Sequence, residues 1–127
     1  MRGFLLALLL LPAVATGVDF AAREKAGKDA LASAEGQKYE ASWGEVIGAV
    51  LRSCVSPGST SPANLGKFTF VADVDAAGGV SSIDVSPSTE VSRCFAKRFG
   101  ASRLPPPPSS SRPGAPFPVS DIISVVP

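Results

Sequence analysis

Two cysteines, Cys54 and Cys94, and a short series of acids, Asp73, Asp75, Asp84, Glu90 and Asp121, are the residues whose types could do chemistry in this chain. Histidine is absent, which removes Ser-His-Asp and Cys-His catalysis in their usual forms and the commonest zinc ligand. A thiol nucleophile would have no imidazole to activate it, and the cysteines do not form a C-x-x-C pair. Among the acids no spacing forces two into one cleft, so a general base is not identified and no catalytic residue is assigned. An acidic pair buried in a pocket would be needed to restore an enzyme. Asp73-Val74-Asp75 ahead of Gly78 resembles a fragment of a calcium loop, but no late bidentate acid follows. Alternation at the end of a hairpin strand accounts for it better. Neither a metal nor a cofactor is expected.

The cysteines have a simpler use. An even number in an exported chain favours pairing, and a Cys54–Cys94 bridge would close a loop of forty residues. On the chain-entropy account that is worth about 4 kcal/mol, a large share of the stability of so small a domain. Two separate buried thiols are the alternative.

Export is read from the N-terminus. Arg2 precedes the apolar run from Phe4 to Leu11, and Ala13-Val14-Ala15 closes it with small residues. This is the layout of a cleavable signal peptide, with cleavage after Ala15 and Gly17 as the neighbouring option. The run is short of the ~20 residues of a membrane-spanning helix, so no stable span is expected once it is cut. An uncleaved anchor is the alternative. The expected location is the periplasm or the extracellular space. Residues 16–38 then form a charged, Ala-rich lead-in, read as a marginal helix or solvated arm, and residues 39–127 a single small domain. Without Arg2 the acids and bases balance, which gives no argument for nucleic acid.

Within that domain the elements follow from periodicity. Trp43, Val46, Ile47, Val50, Leu51 and Cys54 make one apolar stripe, with Ser42 and Glu45 at capping-box spacing. Phe68, Phe70, Ala72 and Val74 alternate with Thr69 and Asp73, and Ile83 and Val85 repeat the alternation after Ala76-Ala77-Gly78-Gly79. Pro87 to Glu90 opens a second helix with the stripe Val91, Cys94, Phe95 and Phe99, and Ser88 or Thr89 can cap it. Pro105 to Pro108 reads as a rigid connector, and Val119 to Val126 as a terminal strand. The order is helix, strand, strand, helix, strand. Burying all three apolar faces predicts an α+β fold, two helices on one face of a three-stranded antiparallel sheet.

This order resembles the C-terminal domain of TonB-type energy transducers, and more closely the AgmX-type branch. The residues that carry the resemblance are the helix ending in Cys54, Gly66-Lys67-Phe68-Thr69-Phe70, the turn Asp75-Ala76-Ala77-Gly78-Gly79-Val80 and the junction Val85-Ser86-Pro87-Ser88-Thr89. Cys94, Arg98-Phe99, Leu104-Pro105-Pro106-Pro107 and Gly114-Ala115-Pro116-Phe117-Pro118-Val119 complete it, over roughly residues 39–126. The family's usual tryptophan in the helix-exit segment is missing, with Phe99 nearest to it. A cut signal in place of a retained anchor also leaves no route to an inner-membrane motor, so energy transduction does not carry over.

The resemblance implies a non-enzymatic module that binds a protein or peptide of the cell envelope. A three-stranded sheet has an open edge that can pair with an extended segment. The terminal strand supplies the candidates Val119, Ile122 and Ile123, and Arg98 and Arg103 are candidates for contact with an acidic partner. The alternatives are a small secreted hydrolase or hydrolase inhibitor, and a purely structural envelope component.

Overall fold

The computed structural model describes residues 19–55, 61–109 and 114–126. The signal segment with its cleavage point at Ala15 lies outside the described residues, as do residues 56–60 and 110–113. The chain runs α1 (Phe20–Leu31), α2 (Ala34–Ala41), α3 (Gly44–Cys54), a 3-10 turn (Pro62–Asn64), β1 (Gly66–Val74), β2 (Val80–Ser86), α4 (Glu90–Gly100) and β3 (Phe117–Val125). The fold is α+β, and from α3 onward it has the expected order helix, strand, strand, helix, strand.

The sheet is antiparallel in the order β2-β1-β3. β1 lies in the middle, paired with β3 from Gly66↔Val125 to Val74↔Phe117 without interruption. Its pairing with β2 runs from Thr69↔Ser86 to Val74↔Val80 and shifts register between Val71 and Asp73. Ser82, at a φ of 51°, lies on the β2 side of that bulge. The hairpin turn is built by Asp75, whose Oδ1 accepts the N–H groups of Ala77 (2.9 Å) and Gly79 (2.8 Å). Gly78 adopts a φ of +92°, and a Cβ there would lie 1.9 Å from the Leu104 carbonyl oxygen, so both conformation and space require glycine. Asp75 thus caps a turn.

The front face of the sheet carries the core. Phe68, Phe70, Ala72 and Val74 point there, as the alternation predicts, and all four are buried. Val91, Phe95 and Phe99 of α4, Trp43, Val50 and Tyr39 meet them, with Val119, Ile123 and Val125 from β3. Phe95 stacks on Phe99 with ring centroids 5.0 Å apart, and Phe70 lies 5.1 Å from Phe99 and 5.3 Å from Phe95. Each such buried side chain contributes roughly 1.5–3 kcal/mol by removal from water, and ring pairs of this geometry add somewhat more. A disulfide joins Cys54, the last residue of α3, to Cys94 in the middle of α4, with Cα atoms 5.8 Å apart.

The ends of α4 are fixed locally. Thr89 is the N-cap: its Oγ1 accepts the Ser92 N–H (3.0 Å), and the Ser92 hydroxyl accepts the Thr89 N–H (2.7 Å), a reciprocal box. The box expected at Ser42 and Glu45 does not form. α2 and α3 meet at Ser42–Trp43, both residues keep helical backbone angles, and the Ser42 hydroxyl donates to the Tyr39 carbonyl to close α2. Trp43 is held in this tight junction because its ring is wholly buried, 5.4 Å edge-on to Tyr39.

The back face is also covered. Residues 20–31, part of the lead-in, form α1, which crosses β3 and β1 on the side away from α3 and α4. Gly27 is the contact point: a Cβ there would lie 2.6 Å from both Ser120 N and Val119 C. The Ser120 hydroxyl donates to the Glu24 carbonyl (3.0 Å). Arg23 reaches farther, to the Ser82 carbonyl on β2 and to within 4.0 Å of the Asp73 carboxylate on β1. Val71, which alternation places on this face, is fully buried.

Candidate functional site

β3 forms one margin of the sheet, and its backbone alternates between bonding to β1 and facing outward. Pro118 has no N–H to give, and it stands opposite Asp73. The Ile122 N–H donates to the carboxylate of its own neighbour, Asp121 Oδ1, at 2.8 Å. With a period of two, residues 118, 120, 122 and 124 therefore present their backbone to the free edge. The opposite margin uses the same device, the Val85 N–H donating to Asp84 Oδ1 at 2.9 Å. On each margin an acid occupies an outward amide that a foreign strand would otherwise take.

The two halves of the β3 edge differ. At Ser120 the edge is flanked by α1 behind and α2 in front, where Lys28, Leu31, Gln37, Glu40, Asp121 and Ile122 line a notch. Toward the C-terminus this cover ends. Ile122 is 51% exposed and Val126 72%, the exposed large hydrophobics among the described residues. Beside Val126 a shallow groove of about 260 Å³ is lined by Leu51, Arg52 and Val55 of the α3 end together with Ser124 and Val125.

The expected partner residues are thus separated. Val119 and Ile123 turn into the core at 1% and 6% exposure, and only Ile122 of the three is offered to solvent. Arg98 is exposed on the last turn of α4. Arg103 forms a bridge with Gly79 and its Nη1 donates to the Ala77 carbonyl (3.4 Å), which places it at the β1–β2 turn. The structure does not gather the two arginines with Ile122.

The acids each have a local task. Asp73 faces Arg23, Asp75 caps the turn, Asp84 and Asp121 hold edge amides, and Glu90 lies in the first turn of α4. Glu40 on α2 was not singled out by the sequence, and it is the residue that changes the electrostatics of this edge. Together with Gln37, Ala41, Gly44, Ile47 and Ile123 it lines an open groove against Asp121. Burial pushes the Glu40 carboxyl up from its ordinary value, and the negative charge of Asp121 pushes it further. Burial likewise raises Asp121, partly offset by the Ile122 N–H. Both prefer a proton more than a solvated carboxylate does. Among the described residues no group of three or more His, Cys, Asp or Glu is placed to hold a metal ion, and no helix is long and apolar enough to cross a membrane.

The Pro105–Pro108 segment is anchored at its start. The Tyr39 hydroxyl donates to the Pro105 carbonyl (2.8 Å), and the Leu104 N–H to the Gly78 carbonyl (2.9 Å). No family model matches the chain, and no curated protein or solved structure matches it.

Proposed function

We propose that this chain is an exported, TonB-C-like module of the bacterial cell envelope that binds an extended peptide segment of another envelope protein at the open half of the β3 edge. The observation that carries this is the position of Ile122 and Val126. The exposed large hydrophobics of the described residues are Ile122, on the outward-facing phase of the marginal strand β3, and Val126, which directly follows the last residue of that strand. An extended segment laid along Ile122–Val126 would gain backbone hydrogen bonds at Ile122 and Ser124 and cover both apolar side chains. Each hydrogen bond contributes about 0.5–1.5 kcal/mol net, so a contact this short is modest in affinity and readily reversible. Asp121 tunes it, because an incoming carbonyl must replace its carboxylate at the Ile122 N–H.

The test is an NMR amide-shift titration of the full chain with an extended, isoleucine- and valine-rich heptapeptide. Shifts centred on Ile122, Ser124 and Val126, lost in Ile122→Asp, are the expected result. Shifts confined to β2 or α4, or none, would reject this edge.

A small hydrolase is a second reading, favoured by the Glu40–Asp121 pair in its open groove. It requires turnover of an ester, peptide or glycoside that Glu40→Gln abolishes, with peptide shifts at Ile122 left in place.

A further inference from the structure

α1 limits the very edge to which the proposed function assigns binding, and it is attached in an uneven way. Its C-terminal end is anchored: Leu31 is buried and belongs to the main core, with Ala30 packed beside it. Upstream of Leu31, Gly27 is the helix's buried residue, a position with no side chain to contribute. What holds that part down is a half-buried Phe20 at its start, the Ser120 hydroxyl on the Glu24 carbonyl, and Arg23 on Asp73 and the Ser82 carbonyl. Asp19 makes no side-chain capping bond at the N-terminus.

The remaining ion pairs of α1 are internal to it. Lys25 with Asp29 and Lys28 with Glu24 are both i,i+4 pairs at 2.8 Å on its exposed side. They support the helix itself and do nothing to dock it. An element with few fully buried apolar contacts, and too short to keep its own hydrogen bonds once detached, is the kind that opens locally while the rest of the fold stays closed.

We infer that α1 is a displaceable strap, pivoting at its anchored end near Ala30–Leu31, that restricts peptide pairing to the C-terminal half of the β3 edge and lengthens the usable edge when it lifts. Lifting uncovers the outward backbone of Ser120 and the carbonyl of Pro118, and with them Val71 on the back face. The binding strand then extends from Ile122–Val126 to Pro118–Val126. The inference rests on the edge-binding reading for its consequence, although not for the motion.

Gly27→Ala in the full chain tests it. The added Cβ meets the Val119–Ser120 backbone at 2.6 Å, where nothing flexible can move aside, while alanine favours helix over glycine. A weaker helix therefore cannot mimic the result. Amides of residues 24–31 are expected to exchange at least tenfold faster than in the unaltered protein, those of α4 at the same rate. The isoleucine- and valine-rich heptapeptide should bind at least threefold more tightly, with Ser120 joining the shifted amides. Arg23→Ala, which introduces no clash, should move both readouts the same way by a smaller factor.

Unchanged exchange in both variants overturns the strap, as does faster exchange with no gain in affinity for a peptide that the unaltered protein does bind. If exchange rises in α4 as much as in α1, the layers are one cooperative unit and the strap is again overturned. Peptide binding to neither the unaltered protein nor the variants would instead reject the edge, while the exchange rates still report whether α1 lifts.

Discussion

On the front of the sheet, α3 and α4 press a cluster of aromatic rings onto β1 and are joined to each other by the Cys54–Cys94 bridge. On the back, α1 lies over Val71 with a glycine at its closest point and polar contacts on either side. The adjacent residues Phe70 and Val71 are both fully buried, one beneath each layer. Equal burial hides unequal attachment. The front layer exchanges large apolar area for stability and adds a covalent tie, so it separates only when the domain unfolds. The back layer depends on close approach, which supplies fit but little free energy, and it can part from the sheet while the core stays whole.

The sharpest way to break this contrast is to cut into each layer in turn. Phe70→Ala removes the ring that meets Trp43, Phe95 and Phe99, and should cost about 3–5 kcal/mol of global stability in urea unfolding. Replacing Cys54 and Cys94 together by alanine opens a loop of 40 residues and should cost about 4 kcal/mol, read as a lower urea midpoint. Val71→Ala should cost only about 1–2 kcal/mol, and its main effect should be loss of exchange protection within α1. A Val71 penalty as large as that of Phe70 would mean that the back layer is as firmly held as the front.

The smallest effect concerns the acids beside the edge. The carboxyl pKa values of Glu40 and Asp121 are raised in the fold above the ordinary carboxylate range, chiefly by burial. The folded state therefore binds protons more tightly than the unfolded chain. Their contribution is most favourable below the ordinary carboxylate pKa of about 4 and is lost as pH rises through the raised folded values. Once pH lies above the raised values both are charged and the penalty is complete. Glu40→Gln should then stabilise the protein by less than about 1 kcal/mol, discounted for its contact with solvent. The gain should vanish when unfolding is measured near pH 3, and a gain independent of pH would remove the charge-based cause.

Much of the front layer was legible in the chain. Period-two alternation in Phe68–Val74 placed four residues on the core face, and the helical stripes put Cys54 and Cys94 on surfaces that face each other. Thr89, one of the two residues singled out as a cap, is the one used. What escaped was set by contacts between distant segments. Ser42 and Glu45 had the spacing of a capping box, but burial of Trp43 keeps the chain helical through that point. The apolar residues of α1 are alanines apart from Phe20 and Leu31 at its two ends, so nothing in its own composition announced that Gly27 meets Ser120. One signal was present on the sheet itself: Val71 is an apolar residue in the polar phase of β1, and an apolar residue out of phase asks for cover on the second face. The candidate edge was legible as a strand, but Val119 and Ile123 face inward and Ile122 outward, a distinction that register with β1 decides. Glu40 could not be connected to Asp121 without knowing that α2 lies beside β3.

Limited trypsin digestion of the unreduced full chain compares the two layers in one experiment. Both carry exposed cleavage sites: Lys25 and Lys28 on α1, with Arg23 half-buried beside them, and Arg93, Lys97 and Arg98 on α4. Since cleavage within a helix requires it to open, the order of cuts reports local stability rather than surface exposure. The first cuts among these sites should fall at Arg23, Lys25 and Lys28, leaving a disulfide-linked body that retains α3, α4 and the sheet. Cleavage at Arg93, Lys97 or Arg98 at an equal or earlier time would contradict the account, because both layers would then be equally held.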